Sequence, residues 1–212
     1  VEKNEATVEE VVVEKYEKPG VMYYLRSRTI LVNLVVLTTL WSVAAFNFYL
    51  NVLQIKYVPG NFETNMIVMT STDVFAAFMA GVLVSRLRPK HLFLGYASIS
   101  ALAGFSMVWL VEQQNPNWTV PVVVGIGRMG VTATFVTVYL THPTFFPTLF
   151  SVTSMGIANF TARFMVIFAP LLAEVSFPLP AIIFMMLEVL AGVASFFLID
   201  DHEELKNTEA IL

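Results

Sequence analysis

The sequence predicts an all-α membrane protein of six transmembrane helices, and three observations carry that prediction. Of its 212 residues, 57% are hydrophobic and 13% charged, with a mean hydropathy of +0.71, whereas a soluble domain has a charged fraction of about 25%. The charges are segregated: of the 28 ionised side chains (12 basic plus 16 acidic), 11 precede Thr29 and six follow Ile199. Between those ends the chain is a series of apolar runs of roughly 19–25 residues, the length that crosses a ~30 Å hydrocarbon core. The net charge of −4 comes from the ends and points to no partner. No nucleic acid is expected, membrane lipid is, and the absence of cysteine excludes disulfides, thiolate catalysis and cysteine-based metal sites.

Residues 1–28 read as a polar mixed-charge tail. Glu9, Glu10 and Glu14 precede Lys15 and Lys18 at helical spacing, and Pro19-Gly20 ends the pattern. The membrane domain, 29–199, follows, with spans expected at about 29–53, 66–84, 92–111, 120–140, 152–172 and 180–199. Ser85-Arg86-Leu87-Arg88-Pro89-Lys90-His91 separates spans two and three, the polar turn Glu112–Thr119 separates three and four, and Pro143 and Pro147 break the chain between four and five. An acidic tail, 200–212, closes it. Asn117-Trp118-Thr119 matches a glycosylation sequon, a pattern common by chance.

Six spans place both ends of the domain on one side. Arg26, Arg28, Arg86, Arg88 and Lys90 flank the spans there, against Lys56 alone opposite. By the positive-inside rule that side is expected to be cytoplasm or mitochondrial matrix. The start at Val1 reads as processed or trimmed, which would suit the mitochondrial inner membrane.

Four ionisable residues sit inside spans: Asp73 in two, Arg128 in four, Arg163 in five and Glu188 in six. Each lies about 12–18 Å from a span end at 1.5 Å per residue, near the midplane. Such groups are costly in lipid and face cavities or buried partners. Helical spacing puts Arg128, Thr132, Phe135 and Tyr139 on one stripe, Asn159 and Arg163 on another, and pairs Asn47 with Asn51. Two readings follow. The plain one is buried ion pairs and amide bonds that fix packing, with Asp73 and Glu188 as charge partners of the arginines. The functional one is a polar substrate cavity lined by Arg128, Arg163, Asn159, Thr132, Phe135, Tyr139 and Asn47.

Several motifs, in order, carry a resemblance. Arg26-Ser27-Arg28-Thr29 opens a span bearing Trp41; Gly60-Asn61 precedes the span with Asp73. Gly81-x-x-x-Ser85-Arg86-x-Arg88-Pro89-Lys90 is similar to an inter-helix motif G-x-x-x-D-R-x-G-R-R/K. GRMGVT at 127–132, Pro147-Thr148 and Ala162-Arg163-x-x-x-Ile167-x-x-Pro170 complete the set. From about Arg26 to Asp200 the chain resembles the C-terminal six-helix half of the major facilitator superfamily, in its organic cation and anion transporter group.

The resemblance implies a 3+3 inverted repeat and a substrate cavity. The Arg163 position tracks substrate charge in that group, and arginine there implies an organic anion; Arg128 falls on a basic cavity position. The inner-gate motif is degenerate. Gly81, Arg86 and Lys90 remain, but Ser85, Arg88, Thr144 and Ser151 replace the aspartate, a glycine, the turn glutamate and the turn arginine. Alternating access rocks one half against another, so the partner expected is an N-terminal half, a second copy, or the subunits of a larger membrane complex.

Two functions are therefore expected. One is a half-length carrier-type subunit for a small organic anion; the alternative is a transport-inactive accessory subunit of a larger membrane assembly, such as one of the mitochondrial inner membrane. An enzyme is not expected, nor any cofactor. His91, His142 and His202 are scattered, and Gly125-Ile126-Gly127 lies within a span rather than in a dinucleotide fingerprint.

Overall fold

The computed structural model describes residues 21–58, 61–112 and 119–199. The mixed-charge segment before residue 21, Gly60, the sequon at Asn117 and the acidic tail from Asp200 lie outside them. We label the six long helices α1 (Arg28–Gln54), α2 (Phe62–Val84), α3 (Pro89–Glu112), α4 (Thr119–Thr141), α5 (Thr148–Val166) and α6 (Leu179–Phe196). All six are long and apolar enough to span a bilayer, and the described residues contain no strand. The chain is thus an integral membrane protein.

Local chemistry sets the helix ends. Asn61 caps α2, its Oδ1 accepting from the Glu63 and Thr64 amides at 2.8 and 3.4 Å, which satisfies two amides that have no partner inside the helix. Pro170 has no N–H to continue the α5 ladder. The helix expected to run on to residue 172 breaks at Ile167-Phe168, where the Phe168 amide reaches Met165 at 3.1 Å, and it resumes as a turn, Ala169–Ala173. The polar tail expected through residue 28 also ends early. Val21–Leu25 forms a helical turn, with Tyr24 buried and stacked on Phe150 of α5 at 5.0 Å.

The packing has the symmetry of a repeat. α1 packs on α4, α5 and α6; α4 packs on α1, α2 and α3; α3 and α6 pack on each other. Exchanging α1 with α4, α2 with α5 and α3 with α6 reproduces that pattern. Because two spans lie between the members of each pair, an offset of three, they cross the membrane in opposite senses. This is a 3+3 inverted repeat. α1 is the most buried span, while α2 and α5 are the least.

The GRMG stretch of α4 serves two neighbours at once. A Cβ on Gly130 would lie 2.7 Å from the Tyr96 carbonyl of α3, closer than side chains tolerate, so only glycine permits this approach. Ser100 uses the approach to donate to the Gly127 carbonyl at 2.9 Å. Arg128, on another face of the same turn, points to α2. Elsewhere Asn33 of α1 both donates to the Ile199 carbonyl (3.1 Å) and accepts from its amide (3.0 Å), tying the start of α1 to the residues just after α6.

Candidate functional site

Arg128 and Asp73 come together in the bundle. The Arg128 side chain is 2% exposed. Its Nε donates to both Asp73 carboxylate oxygens (2.9 and 3.1 Å), its Nη2 to Oδ2 (2.7 Å) and its Nη1 to the Phe48 carbonyl (2.9 Å). The Phe48 ring lies 3.9 Å from the guanidinium carbon, a cation–π contact worth about 0.5–2 kcal/mol. Thr132, one turn along the same face, donates to Asp73 Oδ1 at 2.7 Å. The planar fork of arginine suits such a two-point grip. Its charge is matched by a carboxylate, so this cluster locks α2 and α1 onto α4. Arg128 and Thr132, expected in the cavity, are spent holding Asp73 instead.

Beside that cluster lies a cavity of about 200 Å³ between α1, α4 and α5. Trp41, Ala45, Phe48 and Tyr49 line it from α1, Phe135 from α4, and Asn159, Ala162, Arg163 and Val166 from α5. The walls are aromatic: Phe135 meets Trp41 edge-on at 6.1 Å and stacks on Phe48 at 6.2 Å. The polar groups are few. Asn159 supplies an amide, and exposed Arg163 donates from Nη1 to the Tyr49 hydroxyl at 3.3 Å. Among the described residues no carboxylate pairs with Arg163. An apolar, aromatic recess with one unmatched cation can take a molecule with a flat apolar body and an anionic head.

Of the seven cavity candidates, the structure brings Arg163, Asn159 and Phe135 to this space. Tyr139 stands half-exposed, its ring 5.2 Å from Trp41, and does not line the cavity. Asn47 faces away, toward α6. Its Nδ2 donates to Glu188 Oε1 at 2.7 Å and toward the Phe184 carbonyl at 3.4 Å. Glu188, expected as a charge partner, therefore meets an amide and not an arginine. The reason is packing: α2 reaches Arg128 through α4, whereas α6 lies on α1 and α3.

The degenerate gate residues bond locally. Ser85 donates to the Val82 carbonyl (2.7 Å) and Thr144 to that of Thr141 (2.7 Å). Lys90 reaches the Phe196 carbonyl at 2.6 Å, placing a cation on the C-terminal end of α6. Ser151 bonds through its backbone to Pro147 at 2.9 Å, and exposed Arg86 and Arg88 make no ion pair among the described residues. A Cβ on Gly81 would meet nothing within 4 Å.

Sequence reasoning missed Trp41, Phe48 and Tyr49 as cavity residues, naming Trp41 only within a motif. A signal was present. Trp41, Ala45, Phe48 and Tyr49 fall at i, i+4, i+7 and i+8, opposite Asn159, Ala162, Arg163 and Val166 at i, i+3, i+4 and i+7, two helix faces turned toward each other.

Comparison with known proteins agrees with the motifs. The chain is 24% identical over 186 residues to solute carrier family 22 member 4 of Mus musculus, covering 86% of this chain and 33% of that protein. It is likewise 24% identical over 183 residues to an organic cation transporter-like protein of Drosophila melanogaster, covering 85% of this chain and 31% of that one. No protein-family model matches. The chain spans about a third of the length of these curated relatives. With the inverted repeat, they mark it as similar to a six-helix half of a major-facilitator carrier of the organic cation transporter group.

Proposed function

We propose that this six-helix unit is one half of a carrier whose cavity takes a small organic anion with an aromatic or otherwise apolar body. The observation that carries the reading is the contrast between the two intramembrane arginines. Asp73 neutralises Arg128 at 2.7 Å, while Arg163 faces the α1/α4/α5 cavity with only a tyrosine hydroxyl for company. One of the two relatives bears the name of an organic cation transporter-like protein; in this chain the charge offered to the cavity is positive, which favours the opposite substrate sign.

The site is a half-site. α2 and α5, the spans least covered by their own bundle, carry Asp73 and Arg163 respectively. A polar group left against lipid costs several kcal/mol. A second six-helix bundle, on the same or another polypeptide, covers that face and completes the cavity, as alternating access requires. The membrane end carrying Arg26, Arg28, Arg86, Arg88 and Lys90 faces cytoplasm or matrix.

Uptake tests this reading. Membranes containing the protein accumulate an aromatic carboxylate, Arg163→Ala abolishes accumulation, and Arg163→Lys restores part of it. Accumulation unchanged by Arg163→Ala removes the assigned role.

A further inference from the structure

Glu188 lies in the middle of α6, 1% exposed, in a helix that otherwise presents no charged side chain. Among the described residues its side chain has one hydrogen-bond partner, the Asn47 amide of α1 at 2.7 Å. Among the described residues no cation is in position to balance it. Arg128 is held by Asp73, and Arg163 donates to Tyr49 on the cavity side of α1.

Among the described residues the other elements around it turn no titratable side chain toward it, Lys90 of α3 being spent on the Phe196 carbonyl at the far end of α6. α3 meets α6 through Leu94, Ala97 and Gly104, while its Ser100 side chain points to α4 at Gly130 and its Tyr96 side chain to Thr137 of α4. α4 contributes Val131 to the apolar cluster that holds Phe184. An unpaired carboxylate in such surroundings costs several kcal/mol, whereas a neutral carboxyl with a hydrogen bond does not.

We propose that Glu188 and Asn47 form a second intramembrane site, apart from the α1/α4/α5 cavity, whose ligand is a proton. The amide suits both states of the carboxyl. With the carboxylate, Asn47 Nδ2 donates, as seen. With the acid, the amide turns over, giving up its long 3.4 Å contact to the Phe184 carbonyl, and its Oδ1, buried and without a partner among the described residues, accepts the new O–H. The proton comes from a hydronium ion, whose O–H bond breaks to leave water as the O–H bond on Glu188 forms; no bond in the protein breaks. The site adjoins the carrier cavity through the backbone. Asn47 precedes Phe48, whose carbonyl and ring grip Arg128 and whose ring lines the cavity. The inference stands whether or not the cavity takes an anion.

Infrared difference spectroscopy of the membrane-embedded protein tests it without any transport assay. Wild-type protein shows a carboxylic-acid C=O band at neutral pH that exchanges its proton in heavy water. Glu188→Gln loses that band, and Asp73→Asn keeps it. Asn47→Leu, which removes the hydrogen bond and leaves Glu188 in place, shifts the band to higher frequency. A wild type with no such band, or a band that survives in Glu188→Gln, overturns the proposal. Should Glu188→Gln fail to fold, an unshifted band in Asn47→Leu overturns it equally.

Discussion

Asp73 of α2 and Arg128 of α4 face each other across the interior of the bundle, the guanidinium gripping both carboxylate oxygens at 2.7–3.1 Å while Thr132 adds a third donor. α2 packs chiefly on α4, so this cluster is its main polar anchor. Asp73→Ala leaves a buried guanidinium uncompensated and should cost about 3–5 kcal/mol. The double change Asp73→Ala with Arg128→Leu should recover most of that loss. Thermal unfolding in detergent checks both, and a double variant no more stable than Asp73→Ala alone would contradict the assignment.

A second prediction concerns the α3–α4 contact. Gly130→Ala places a methyl 2.7 Å from the Tyr96 carbonyl, an atom that cannot move without its helix. Overpacking of that kind costs about 1–3 kcal/mol. Gly81→Ala, where a Cβ meets nothing within 4 Å, should be neutral or slightly stabilising in the same assay. Equal effects from the two would remove the close-approach argument.

The far end of the bundle carries a pH-sensitive tie. Lys56, just beyond α1, bonds Glu174 Oε1 at 2.6 Å, and Tyr57 donates to Glu174 Oε2 at 2.8 Å. The Lys56 hydrogen bond, followed by that of Tyr57, holds the Glu174 carboxyl below its ordinary pKa. A depressed carboxylate stabilises the folded state above its unfolded pKa, and the contribution fades as pH falls through the folded one. Amide exchange of the Ile55–Tyr57 turn should therefore accelerate on acidification, more weakly in high salt because the pair is exposed. Glu174→Gln should remove the acid dependence; its persistence there would place the effect elsewhere.

Much of this architecture was legible in the letters. Apolar runs of spanning length gave the six helices, and segregated charge set them apart from a soluble core. The ordered motifs led to the repeat that the packing displays. The two arginines mark where such reading stops. Arg128 and Arg163 look alike in sequence, each a lone cation in an apolar span. Their difference arises because α2 docks on α4 and brings Asp73 to one of them, whereas α5 packs on α1 and brings Tyr49 to the other. Pairings between helices so far apart along the chain depend on tertiary packing and leave no periodic trace. Glu188 shows the same limit: its amide partner is 141 positions away.

Arg163 also separates the carrier reading from a purely structural one. Exposed, and bonded only to Tyr49 among the described residues, it contributes little to packing. Arg163→Ala should shift the unfolding temperature far less than Arg128→Ala, whose removal strands Asp73 and frees the Phe48 carbonyl. Comparable losses from the two would make Arg163 a structural residue.

The most direct measurement uses the cavity's own fluorophore. Trp41 lines the space beside Phe135 and across from Arg163. Its emission, isolated by replacing Trp109 and Trp118 with phenylalanine, is titrated with an aromatic carboxylate and separately with a quaternary ammonium ion of the same size. The account predicts a saturable change with the carboxylate, weakened at least about tenfold by Arg163→Ala, a loss of about 1.4 kcal/mol, and no saturation with the cation. Preferential binding of the cation, or carboxylate binding indifferent to Arg163, would contradict it.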